Sequence, residues 1–174
     1  QRMNAFGTML WPTDGVAVCT HITDQYPQSM VPDGMGGVVM GWSDVRNGTP
    51  DVFVARMDAT GNAVWDPDGK PFVVTPLNEI FHEMVPDGID GAIVTWMYRS
   101  FGPLGKYVYT SFARRLDFLG NPHWQAGGVA VCTFGSSNQL AAVAADDDGG
   151  AIFAWLDDRN GSDDDVYAAR INYN

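Results

Sequence analysis

The chain has 174 residues, of which 10 are basic and 21 are acidic, and its formal net charge is −11. This acidic balance leaves no basic stripe that could bind nucleic acid or an anionic membrane surface, so we expect neither partner. No apolar run approaches the roughly 20 residues that a membrane-spanning helix needs, so we expect no membrane insertion. Nineteen of the acids are Asp, and together with 20 Gly and 10 Pro they favour turns over helices.

The six tryptophans fall into two series that reveal an internal repeat. Each member of the first series stands 31 residues before a member of the second. Within a series the spacings are 54 and 59 residues, so the chain holds three repeats. The first series is Trp11, Trp65 and Trp124; the second is Trp42, Trp96 and Trp155.

Each repeat predicts four short strands, which we take in chain order from the first. The region of Met30 begins the unit, and residues 37–43 form an apolar second strand that ends near Trp42. Asn47-Gly48 is a strong hairpin signal, and residues 51–58 then alternate as a half-buried third strand. The fourth strand follows the Gly61 turn, at the place of the Val-Ala-Val-Cys-Thr segments 16–20 and 129–133.

These residues resemble a known repeat. The pattern Asp-Gly-x-Gly-Gly, Trp-x-Asp-x-Arg-Asn-Gly, Asp-Val-Tyr and Gly-x-x-x-Trp is similar to a β-propeller-type repeat of secreted, mostly uncharacterised bacterial and archaeal proteins. The resemblance implies an extracellular, all-β array of four-stranded blades and supplies no catalytic residues. The second repeat departs from the pattern, because residues 97–101 replace its Asp and Arg-Asn-Gly.

Three blades do not make an ordinary propeller, which has 4–8. We predict one repeat domain over residues 1–174, with repeats at approximately 7–65, 66–124 and 125–174. Residues 1–6 are in phase with the C-terminal strand, since Arg2 matches Arg170 at a distance of 168 residues. Another copy of the chain could therefore complete the array as a ring or filament. A segment cut from a longer polypeptide explains the same phase, and a three-lobed β-trefoil or β-prism is the structural alternative.

The tryptophans and one arginine per repeat are interpreted as structural. Because all six tryptophans recur with the repeat, we expect them to form its core rather than a sugar-stacking site. Arg56, Arg115 and Arg170 also recur once per repeat, which predicts ion pairs with turn carboxylates. Cys19 and Cys132 occupy equivalent positions, where buried free thiols are expected.

Two kinds of polar site remain open on the surface. Asp146, Asp148, Asp163 and Asp165 are weak Ca²⁺ candidates, but solvated turns on an acidic surface are the favoured interpretation, and no cofactor is predicted. Asn47 and Asn160 begin equivalent Asn-x-Ser/Thr sequons and are glycosylation candidates.

The least regular loop lies in the second repeat and is the candidate binding site. It is apolar and aromatic on an otherwise acidic chain, which is typical of a contact surface, although packing of the loop over its own blade explains the same composition. Its candidate interface residues are Tyr98, Phe101, Leu104 and Tyr107.

The sequence favours a non-enzymatic function. Almost every notable polar residue recurs with the repeat, whereas an active site needs a convergent set of unlike groups. We expect an extracellular structural protein that assembles head to tail with copies of itself. The alternatives are a carbohydrate- or surface-binding module and a fragment of a propeller-type glycoside hydrolase, for which His82 and Glu83 are the only suggestive pair.

Overall fold

A computed structural model describes residues 1–102, 107–133, 139–146, 148–161 and 163–172, with backbone only at 28, 139 and 141. The described residues form eleven strands and no helix, in three antiparallel sheets, so the all-β prediction is confirmed. Among them there is accordingly no helix long and apolar enough to cross a membrane.

The first two sheets each contain four strands in chain order. Sheet 1 comprises β1 (Gln25–Pro32), β2 (Val38–Asp44), β3 (Asp51–Met57) and β4 (Lys70–Val73). Sheet 2 comprises β5 (Glu79–Pro86), β6 (Gly91–Phe101), β7 (Tyr107–Asp117) and β8 (Val129–Cys132). The second and third strands of sheet 1 lie within one residue of their predicted bounds.

Sheet 3 differs from the prediction of three four-stranded units. It comprises β9 (Gln139–Ala145), β10 (Ala151–Asp157) and β11 (Asp165–Ile171), with β11 at its edge. Residues 16–20, predicted as a strand from their likeness to 129–133, form no strand. The physical reason is pairing: β8 is a strand because it hydrogen-bonds to β7, and residues 16–20 pair with no strand of the described chain. The fourth strand of each complete sheet also lies beyond the predicted repeat limits at 65 and 124.

The hydrophobic core lies between consecutive sheets. Between sheets 1 and 2, Val39 and Val52 pack in one cluster with Phe81 and Met84. Between sheets 2 and 3, Ile93 packs in an equivalent cluster with residues of β9 and β10. Sheets 1 and 2 thus each bury one face against the sheet that follows, and the three sheets form a row whose two outer faces are covered by no other sheet of the described chain.

One ion pair per sheet ties the third strand to the turn that precedes the second strand, as the recurring arginines predicted. Arg56 Nε donates to Asp33 Oδ2 at 3.0 Å in sheet 1, and Arg170 Nε donates to Asp146 Oδ2 at 2.7 Å in sheet 3. In sheet 2 the Arg115 side chain is only 3% exposed and its Nε donates to Asp87 at 2.5 Å. These pairs hold the sheets in a common shape.

Candidate assembly surfaces

The free face of sheet 3 is the clearest departure from the repeat. Val52 on β3 and Ser111 on β7 are 0% exposed because the next sheet covers them, whereas the equivalent Val166 on β11 is 75% exposed. We define the free face of sheet 3 by Ile152, Leu156 and Val166, all of them apolar and exposed.

A second comparison, on the central strands, gives the same result. Val39 on β2 and Ile93 on β6 are 0% exposed, and their equivalent Ile152 on β10 is 47% exposed. Within the described residues, no further sheet covers sheet 3 at this end of the row.

The opposite end of the row exposes the free face of sheet 1, defined by Pro27, Met30 and Met40. Met84 on β5 packs against the preceding sheet and is 2% exposed, whereas the equivalent Met30 on β1 is 65% exposed. A cavity of about 500 Å³ opens here, and its lining includes all three residues of this face together with Trp42. The surface is mostly apolar and concave, as expected of a site that receives side chains.

Residues 1–20 lie against sheet 1 as the last part of an absent sheet would. The bridges Met3 to Met9, Met57 to Ala63 and Leu116 to Pro122 recur with the repeat. The same inter-sheet hydrogen bond also recurs, since Arg2 Nη1 donates to the Ala59 carbonyl at 2.9 Å and Arg56 Nη1 donates to the Phe118 carbonyl at 2.7 Å. Residues 1–20 therefore make the contacts that the segments after β3 and β7 make, but in the described chain they follow no sheet.

The buried tryptophans are fixed by a recurring cluster of polar groups. Trp42 Nε1 donates to Asp44 Oδ2, and Trp155 Nε1 donates to Asp157 Oδ2, both at 3.0 Å. The guanidinium of Arg159, hydrogen-bonded to Asp157, holds the pKa of that carboxyl well below its ordinary value. Burial would raise the pKa of Asp44, but hydrogen bonds from Arg46 and Trp42 lower it below 3.8.

The two cysteines complete these clusters from the preceding fourth-strand position. Arg159 Nη2 lies 3.4 Å from Cys132 Sγ, and Arg46 Nη2 lies 3.3 Å from Cys19 Sγ. Cys132 is buried and Cys19 is partly buried. Cys132, on β8 of sheet 2, therefore contacts sheet 3 in the same way as Cys19 contacts sheet 1.

The two tryptophan series differ in burial. Trp42, Trp96 and Trp155 are no more than 5% exposed. Trp11, Trp65 and Trp124 are partly buried beside inter-sheet turns. Trp65, for example, lies against the Gly120 turn of the next sheet.

The acidic clusters form turn and ion-pair contacts. Asp146 receives Arg170 on one oxygen and the amides of Asp148 and Gly150 on the other. Asp163 and Asp165 are exposed. Within the described ranges no group of three His, Cys, Asp or Glu side chains could hold a metal ion.

The sequon asparagines are both exposed at hairpin tips between the second and third strands. Asn47 Nδ2 donates to Asp51 Oδ2 at 2.7 Å, and Asn160 Nδ2 donates to the Tyr167 hydroxyl at 2.7 Å. Glycosylation of either side chain stays a prediction.

The β6–β7 hairpin extends sheet 2 beyond the others and carries the predicted binding loop. Its strands have 11 residues each, against 7 for β2 and β3. Phe101 is 76% exposed, and its ring centroid lies 4.8 Å from that of Tyr107. Tyr98 is partly buried on β6, and Leu104 lies outside the described residues.

The pair suggested for catalysis lies on a strand. His82 and Glu83 are adjacent on β5 and partly buried. Burial lowers the pKa of His82 from its ordinary value and so favours the neutral imidazole, whereas the Glu83 carboxylate and the Leu140 backbone act in the opposite direction.

Sequence reasoning missed the two free faces. No local signal marks them, because the exposed Val166 and its buried equivalent Val52 are the same type of residue in the same alternating pattern. No protein-family model, curated protein or solved structure matches the chain in any of the three comparisons.

Proposed function

We propose that this protein is a non-enzymatic, extracellular structural protein whose copies assemble head to tail. In this assembly the free face of sheet 3 of one copy packs on the free face of sheet 1 of the next. The observation that carries the proposal is the 75% exposure of Val166 where the equivalent Val52 and Ser111 are 0% exposed.

The driving force is burial of apolar surface. The branched side chains of Ile152, Leu156 and Val166 meet a cavity lined in part by Met30 and Met40, and methionine adapts well to irregular gaps. The same kinds of side chain already pack between sheets 1 and 2. The new interface is therefore one more copy of an interface that the chain makes twice.

The symmetry of such an assembly follows from its two unlike surfaces. A heterologous contact closes into a ring or propagates as a filament. Two copies would contribute six sheets, within the blade numbers of β-propellers. The resemblance to secreted repeat proteins and the exposed sequons support the extracellular location.

A second candidate function rests on the β6–β7 hairpin. The exposed rings of Phe101 and Tyr107, with the Arg99 guanidinium 4.8 Å from the Tyr107 centroid, form an aromatic surface of the kind that stacks on sugars. This glycan-binding role is compatible with assembly, because the hairpin tip belongs to neither free face.

We expect Ile152→Asp to reduce assembly at least tenfold, because an aspartate would be buried without a partner in the interface. Sedimentation velocity over a concentration series measures this effect. The matched control is Val64→Asp, since Val64 is also 47% exposed but lies outside the faces. A wild-type chain that sediments only as an 18.9 kDa monomer would instead favour self-closure, as in a β-trefoil or β-prism.

A further inference from the structure

We propose that residues 16–19 of a second copy add to the edge of β11 and form the missing fourth strand of sheet 3. This inference rests on the proposed head-to-tail assembly and specifies its contact. Strand addition to an exposed edge supplies backbone hydrogen bonds as well as side-chain packing.

The edge of β11 is the place where the other sheets have a fourth strand. In sheet 1, β3 pairs with β4, and in sheet 2, β7 pairs with β8. In sheet 3 the order is β11-β10-β9, so among the described residues no strand pairs with the outer edge of β11. An unpaired edge of seven residues is a template for another strand.

Residues 16–19 pack against sheet 1 as the fourth strand of a preceding sheet would. Val18 and Cys19 pack on the cluster of Trp42, Phe53 and Ala55. Cys132 on β8 packs in the same way in the cluster that contains Trp155. Residues 16–19 thus have the side-chain contacts of β8 without its strand partner.

In sheets 1 and 2, the glycine that precedes the fourth strand packs against the tryptophan of the same sheet. The Cβ atoms of an alanine at 69 and at 128 would lie 2.2 and 2.3 Å from Cη2 of Trp42 and Trp96, so these glycines allow the rings to pack against the fourth strand. Gly15 is the equivalent residue, with φ +84° against +86° and +82°, but nothing lies within 4 Å of its Cβ position.

Among the described residues, no glycine of sheet 3 packs in this way on Trp155. The described part of sheet 3 ends at β11, so the glycine that would pack on Trp155 belongs to the fourth strand that another copy supplies. Gly15 of one copy and Trp155 of another are therefore complementary halves of a contact that sheets 1 and 2 make within one chain.

The existing pairs predict the register of the added strand. Val52 pairs with Val73, and Ser111 pairs with Cys132. By equivalence Val166 of one copy pairs with Cys19 of the next. The neighbouring pairs are then Tyr167 with Ala17 and Ala168 with Val16.

Residues 1–4 of the second copy must move aside in this arrangement, because they are equivalent to 169–172 of the first. β11 keeps its place, since it pairs with β10 throughout its seven residues, whereas residues 1–4 are mostly exposed. Arg170 then takes the position of Arg2 against the Ala59 carbonyl and brings with it the carboxylate of Asp146.

The test is a disulfide between copies. Directly paired residues of antiparallel strands have Cα atoms about 4.5–5.5 Å apart, inside the range that a disulfide spans. Val166→Cys should therefore link to the native Cys19 of a second chain on oxidation with diamide. Non-reducing electrophoresis gives the yield, and peptide mass spectrometry identifies the link between the two chains.

Two control variants test whether the disulfide depends on the predicted pair of residues 166 and 19 or forms wherever two chains come close. Val166→Cys combined with Cys19→Ser should lose the link, and Val64→Cys, with Val64 outside both faces, should not form one. Because Val166 is exposed, its substitution does not disturb the fold of one chain.

The outcomes distinguish this inference from the proposed function. Association without a link between residue 166 and Cys19, or a link within one chain, would overturn the strand addition and leave head-to-tail packing standing. Chains that neither associate nor link would overturn both.

Discussion

Replacing Arg115 with methionine should lower the free energy of unfolding by about 3–5 kcal/mol. The Arg115 side chain is 3% exposed and binds the carboxylates of Asp87 and Asp90. Methionine preserves most of the volume but leaves Asp87, which is 0% exposed, as a buried charge without its cation. Urea unfolding followed by tryptophan fluorescence measures the loss.

Arg170→Met is the matched control, because Arg170 occupies the equivalent position in sheet 3. Its side chain is 51% exposed, so its ion pair with Asp146 is screened by solvent. We expect a loss of about 1 kcal/mol or less when the measurement is made at a protein concentration too low for copies to associate. Equal losses for the two variants would show that the burial of these ion pairs does not determine their contribution.

Gly128→Ala should destabilise the chain by about 2–5 kcal/mol. The φ of Gly128 is +82°, which costs a residue with a Cβ about 1–2 kcal/mol. The new methyl group would also lie 2.3 Å from Trp96 Cη2, in a packed core where excess volume costs about 1–3 kcal/mol more. Chemical denaturation at low protein concentration is the measurement.

Gly15→Ala isolates the backbone contribution. Gly15 has a φ of +84° and no atom within 4 Å of the Cβ position, so only the backbone cost of about 1–2 kcal/mol applies. If both variants lost the same stability, the close packing of Trp96 against Gly128 would be refuted.

The sequence predicted the strands whose signals are local. The Asn47-Gly48 turn and the alternation after it predicted a hairpin, and β2 and β3 flank that turn. The Asp–Arg pairs were predictable as well, because one arginine and one turn aspartate recur in each repeat.

The free faces could not be predicted, because the exposure of a strand depends on whether another sheet packs against it and not on the local sequence. Residues 165–171 have the same alternation as 51–57, yet Val166 is exposed and Val52 is buried. Residues 16–19 match 129–132 closely, yet only the latter form a strand, since a strand requires a partner. The resemblance to a β-propeller repeat stays a prediction, and so does the completion of the three sheets by another copy.

The central claim, that another copy completes this row of three sheets, is tested most directly by the molar mass of the chain in solution. Light scattering over a concentration series should give values above 18.9 kDa that approach integral multiples of it. A mass of 18.9 kDa at every concentration would contradict the account, because the apolar faces of sheets 1 and 3 would then remain exposed to water.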